Sequence, residues 1–122
     1  MADIMWSDPS TDMDGFALSP RGAGYIFGKQ VVDRFAEINQ VDHIARAHQM
    51  CMEGYQELFD NKCLTVWSAP NYCYRCGNMA SVLKWDGNRN WQIYGAAPNQ
   101  EDESKSSGLL NGVHDQANQW FT

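Results

Sequence analysis

The sequence predicts an α/β chain built mainly of strands, and three observations carry that prediction. Residues 29–39 place apolar side chains at helical spacing. Several other apolar runs are β-rich and too short for a helix. Asp86-Gly87-Asn88 separates two strand-like segments in the manner of a hairpin turn.

The elements follow in order. Residues 7–15 (SDPSTDMDG) read as a polar, turn-rich loop, and Ser19–Gly24 as a second irregular segment of small residues. From Lys29 to Asn39, Val31, Val32, Phe35 and Ile38 form an apolar face opposite Asp33, Arg34 and Glu37. That segment is expected to be an amphipathic helix ending near Asn39. His43–Ala47 and Leu64–Trp67 suit buried strands. Tyr55–Phe59 fits a strand or a helical turn equally well. Ser81–Trp85 and Trp91–Tyr94 form the two arms of the hairpin. Residues 99–122 are polar and without periodicity, which predicts a disordered acidic tail following a body of residues 1–98.

Composition narrows the function classes. The chain has 122 residues, 43% hydrophobic and 20% charged, in the range of one globular domain or part of one. Its net charge of −6 speaks against binding nucleic acid through phosphate contacts. No apolar run approaches the roughly 20 residues that a membrane-spanning helix needs. No secretion signal precedes the four cysteines, so free thiols or a metal site are expected rather than disulfides.

Ser68–Asn78 (SAPNYCYRCGN) is the most unusual stretch: a shaped loop following an apolar strand. It reads as a packed loop or as a functional one carried on a rigid scaffold. Cys73 and Cys76 form a C-x-x-C pair, and Cys51 and Cys63 could complete a zinc site, although the first pair has the wrong spacing for one. Ordinary partly buried thiols are the simpler reading. His48 follows a predicted strand; it reads as a structural histidine or as one ligand of a metal. Arg21 lies among small residues, either as a surface side chain in a turn or as a phosphate-holding guanidinium. Spacing alone favours the surface reading.

Four segments, MWSDP (Met5–Pro9), SPRGAGYIFG (Ser19–Gly28), RAHQMCMEGY (Arg46–Tyr55) and TVWSAPNYCYRCGN (Thr65–Asn78), occur in this order. Together they resemble the C-terminal third of the metal-dependent phosphoprotein Ser/Thr phosphatases, and the YRCGN ending resembles the type-2A, type-4 and type-6 branch. The resemblance implies part of a two-sheet sandwich with flanking helices. It also implies two divalent metal ions, manganese or iron and zinc, whose bridging hydroxide attacks the phosphorus in line. Carried over by position, His48 resembles a metal ligand and Arg21 a phosphate-binding, catalytic residue. Tyr72 resembles the catalytic tyrosine beside the pocket. Cys73 and Cys76 fall in the loop that borders substrate and inhibitors, and Trp6 and Asp8 resemble supporting groups. The resemblance further implies phosphoprotein substrates, regulatory or scaffold subunits, and a cytoplasmic or nuclear location.

The departures matter as much. The family's GDxHG, GDxxDRG, GNHE and HGG segments, which hold the remaining metal ligands, do not occur in these 122 residues. One histidine cannot assemble a dinuclear centre, so this chain alone is expected to be inactive. The resemblance starts almost at Met1, so an upstream segment, or a mis-assigned start, is expected too. The chain ends Gln119-Trp120-Phe121-Thr122 rather than in the family's Tyr-Phe-Leu. Two rival readings remain at this level. One is a non-catalytic binding or decoy module that keeps the regulatory contacts. The other is a small zinc module using the four cysteines.

Overall fold

A computed structural model describes residues 1–98. The predicted tail, residues 99–122, lies outside the described residues. The elements run α1 (Ala2–Trp6), β1 (Asp8–Pro9), β2 (Phe16–Leu18), β3 (Tyr25–Phe27), α2 (Lys29–Asn39), β4 (Ile44–Arg46), β5 (Tyr55–Leu58), β6 (Cys63–Val66), β7 (Ala80–Trp85) and β8 (Arg89–Tyr94). The class is mixed α and β with strands predominant, as the sequence predicts.

The strands form three small sheets. In the first, β3 lies between β1 and β2, parallel to β1 and antiparallel to β2. In the second, β6 lies between β4 and β5, parallel to β4 and antiparallel to β5. The third is the β7–β8 hairpin, whose register pairs Trp85 with Arg89 across the predicted Asp86-Gly87-Asn88 turn. A strand paired on both sides and covered on both faces should read as continuous apolar sequence. β6 does, and Cys63, Leu64 and Thr65 are fully buried.

α2 begins after Gly28 and ends at Asn39, where Gln40 takes the left-handed conformation and donates its N–H to the Ala36 and Glu37 carbonyls. Val32 joins Phe59 and Cys63 in the core, with Phe27, Ile44 and Leu58 packed around them. The rest of the predicted apolar face behaves differently: Phe35 is 49% and Ile38 66% exposed. The helix therefore carries one wide apolar stripe, part of it uncovered in this chain.

Several readings change or are completed. His43–Ala47, expected as a buried strand, is a strand over Ile44–Arg46 with no fully buried residue. Asp8 and Pro9 pair with Ile26 and Phe27 instead of lying in a loop. β2 and β3 went unpredicted because three residues are too few to display an alternating pattern. The ambiguous Tyr55–Phe59 segment is a strand as far as Leu58.

Hydrogen bonds, ring contacts and ion pairs tie the sheets together. The Ser81 N–H donates to the Trp67 carbonyl at 2.7 Å, and the Trp67 N–H to the Gly54 carbonyl at 2.9 Å. Trp91 stacks on Tyr55 with centroids 4.6 Å apart, and its indole N–H donates to Glu57 at 2.8 Å. The turn between β5 and β6 is anchored to α2 by ions. Asp33 receives Lys29 at 2.7 Å and Lys62 at 2.6 Å, and Lys29 also reaches Asp60 at 3.2 Å.

This packing makes stability sensitive at three places. Gly54 has φ +84°, and a Cβ there would lie 2.6 Å from the Ala80 carbonyl carbon, whereas Gly22, at φ +81°, has nothing within 4 Å of its Cβ position. In urea denaturation Gly22→Ala should cost about 1 kcal/mol from backbone strain alone. Gly54→Ala should cost about 2–4 kcal/mol, because the clash adds to the strain. The buried Thr65 hydroxyl has no hydrogen-bond partner. Thr65→Val keeps the shape and removes the unpaired group, so the same denaturation should show unchanged or raised stability. Hydrogen bonds from Lys29 and Lys62 hold the Asp33 carboxyl below its ordinary value of 3.8. A depressed folded value contributes stability above the unfolded value that is lost as pH falls through the folded one. Asp33→Asn should therefore flatten the acid limb of a plot of Tm against pH below about pH 4.

Candidate functional site

Asp8 is buried on β1, and both of its carboxylate oxygens are engaged by arginines. Arg21 Nε donates to Oδ2 at 2.7 Å, and Arg46 Nη2 to Oδ1 at 2.7 Å. Arg21 stands on the turn joining β2 to β3. That turn is shaped by Ser19, whose hydroxyl accepts from the Arg21 N–H at 3.2 Å and whose carbonyl accepts from the Gly22 N–H at 3.2 Å. Arg46 ends β4. It donates further to the Ser7 carbonyl at 3.2 Å and, through Nη1, to Gln49 Oε1 at 2.8 Å. The side chains of Asp8, Arg46 and Arg21 are 9%, 12% and 17% exposed. Two guanidinium groups against one carboxylate leave this group with a net positive charge, a setting that suits a phosphate or another oxyanion.

Two residues beyond Arg46, His48 has φ 82°, an unusual value for a side chain other than glycine. Its ring meets the Trp6 indole edge-on, with centroids 5.2 Å apart. Backbone strain of this kind persists where the surroundings over-determine the conformation, and it collects at functional positions. His48, Arg46 and Ser7 line one part of an open, largely apolar cleft of about 890 Å³, whose other walls include Phe16, Phe27, Val31 and Phe35.

The second group of sequence-predicted residues stands on the loop of residues 71–78. Tyr72 packs edge-on against Trp67 at 4.9 Å, and the Trp67 indole N–H donates to the Ala69 carbonyl at 2.7 Å. Asn78 organises the loop. Its amide nitrogen donates to the Ala69 and Met79 carbonyls, both at 2.9 Å, and its side-chain oxygen accepts from the Tyr72 N–H at 2.8 Å. Asn71 Oδ1 accepts from the Gly77 N–H at 3.0 Å. Asn71, Cys73 and Tyr74 all have positive φ, so the loop is tightly wound and not extended. Cys73 is exposed and Cys76 partly buried.

The structure thus brings Trp6, Asp8, Arg21 and His48 into one group and places Tyr72, Cys73 and Cys76 on another element. Sequence reasoning missed Arg46 and Asn78. Arg46 lies in the RAHQ motif beside His48, but its contact with Asp8 crosses 38 residues and leaves no local pattern.

Among the described residues no three or more His, Cys, Asp or Glu side chains are placed to hold a metal ion. Burial raises the Cys51 and Cys63 thiols above their ordinary value, with the Arg46 charge acting the other way. Among the described residues the four cysteines do not converge into a metal-holding group. Of the two donor types in this group, His48 and Asp8, the Asp8 carboxylate has both oxygens taken by arginines, so this donor set alone does not fit a resident metal.

No family model matches the chain. Individual proteins do. The serine/threonine-protein phosphatase 4 catalytic subunit of Saccharomyces cerevisiae is 59% identical over 104 residues, covering 84% of this chain and 33% of that protein. A protein phosphatase 2A catalytic subunit of Dictyostelium discoideum is 58% identical over 100 residues, covering 80% of this chain and 32% of that protein. Among solved structures, a protein serine/threonine phosphatase from Saccharomyces cerevisiae with similarity to human phosphatase PP5 superposes with a TM-score of 0.65 at 32% identity. The match covers 75% of this chain and 32% of that one. The chain spans about a third of the length of these curated relatives. By sequence and by fold, the chain matches the C-terminal part of the catalytic subunits of type-2A-like protein serine/threonine phosphatases, a metal-dependent family.

Proposed function

We propose that this chain supplies the C-terminal third of a protein Ser/Thr phosphatase catalytic centre and does not hydrolyse phosphoesters alone. The observation that carries the reading is the meeting of Arg21 and Arg46 on Asp8, with Arg46 and the strained His48 both lining an open cleft. In this reading Arg21 receives the substrate phosphate through its guanidinium group. Tyr72 borders the bound phosphoester, and Cys73 and Cys76 flank it on the same loop. His48 is one donor to a pair of divalent ions, manganese or iron and zinc, whose other ligands come from upstream segments. Because the donors present here do not themselves fit a metal, no step of the reaction is assigned to this chain beyond binding and orienting the phosphate.

The apolar side of α2 and the cleft beside it support the same reading. Phe35, Ile38 and Phe16 are exposed, as expected for a face that the remaining two-thirds of a catalytic domain covers. The substrates are phosphoproteins, and regulatory or scaffold subunits bind the assembled enzyme. The cytoplasm or nucleus is the proposed location, in keeping with four free thiols.

The test is complementation. The purified chain with added manganese should release no phosphate from a phosphothreonine peptide. Coexpression with the upstream two-thirds of the yeast phosphatase 4 catalytic subunit should restore release. Arg21→Gln in that pair should lower kcat/KM by about a hundredfold or more, the scale for losing one charge-stabilising donor. Hydrolysis by the chain alone would refute the inactive-fragment reading. A stable but inactive pair, with scaffold subunits still captured, would favour the non-catalytic binding module.

A further inference from the structure

We propose that Asp8 and Arg46 are positioning residues for Arg21, the side chain assigned above to the substrate phosphate; the inference rests on that assignment. A guanidinium group on a turn has several rotatable bonds that its contacts must fix. Here the restraint is supplied in series. Pairing of β4 with β6 sets Arg46 opposite the fully buried Thr65. Arg46 is then pinned at three acceptors: Ser7 O, Gln49 Oε1 and Asp8 Oδ1. Asp8 is held by Arg46 on one oxygen and presents the other to Arg21 Nε. With Nε engaged, the plane of the Arg21 guanidinium is set.

The order of this chain has a consequence for function. β4 carries Arg46 at its last residue and His48 two residues later. A single strand end therefore fixes both the metal-donor candidate and, through Asp8, the phosphate-binding candidate. The separation between them becomes a property of the pairing of β4 with the buried β6 rather than of the 19–24 turn. Lys at position 46 would keep the charge but could not reach three acceptors from one planar group.

A salt bridge that merely stabilised the fold would show the same distances, so the test must separate the two roles. In the chain itself, ¹⁵N spectra of arginine side chains should show the Arg21 Nε–H and the Arg46 guanidinium signals protected from exchange. Asp8→Asn should remove protection from the Arg21 Nε–H and leave Arg46 partly protected through Ser7 O and Gln49 Oε1. Arg46→Lys should remove it from Arg21, because Asp8 then loses the group that holds it. Retained Arg21 protection in either variant, or its absence in the unmodified chain, overturns the proposal. In the complemented phosphatase, Asp8→Asn and Arg46→Lys should each lower kcat/KM about tenfold to a hundredfold, the scale of a small misplacement. Neither should lower it further in an Arg21→Gln background, since a residue that acts through Arg21 has nothing left to position. Losses that add to that of Arg21→Gln would mean a structural role and overturn the proposal. An inactive unmodified pair would instead sink the phosphatase assignment, and the spectra alone would then decide the positioning role.

Discussion

The buried Asp8 carboxylate joins the first sheet to the second, which share no backbone ladder. β1 carries it, the turn between β2 and β3 supplies Arg21, and the end of β4 supplies Arg46. A carboxylate at this depth is costly unless both oxygens are paired. With a guanidinium on each oxygen the cost is offset, and the first and second sheets are held in a defined relation. The remaining candidate positions follow from that relation. Trp6 and Ser7 reach His48 and Arg46 because β1 is tied there, and the cleft opens where the two sheets meet α2.

The 71–78 loop reaches rigidity by a different route. Asn78 satisfies backbone groups on both sides of the loop through three side-chain hydrogen bonds, which lets Asn71, Cys73 and Tyr74 keep positive φ values. An irregular segment that satisfies its own backbone in this way can hold side chains in place without belonging to a sheet.

The exposed apolar face gives the fold an unfinished character. α2 buries Val32 and Ala36 and leaves Phe35 and Ile38 in solvent. Along the sequence these residues belong to one amphipathic stripe, and the helix itself was legible to its last residue. Which part of the stripe is covered was not legible, because coverage depends on neighbours far along the chain or outside it. The same holds for Arg21: its surroundings in sequence favour a surface turn, and its 17% exposed side chain reflects a partner 13 residues earlier.

Sequence alone determined the helix α2, the buried β6 strand, the hairpin at Asp86-Gly87-Asn88 and the family resemblance carried by four contiguous blocks. Each of these is a local property, expressed within a few residues by periodicity, turn chemistry or an unbroken motif. Only the tertiary structure decided that Asp8 and Arg46 form a pair, that His48 holds a strained backbone against Trp6, and that the cysteines build no metal-holding cluster among the described residues. These depend on strand register and on which faces meet, and contacts between residues 38 positions apart leave no trace in local spacing.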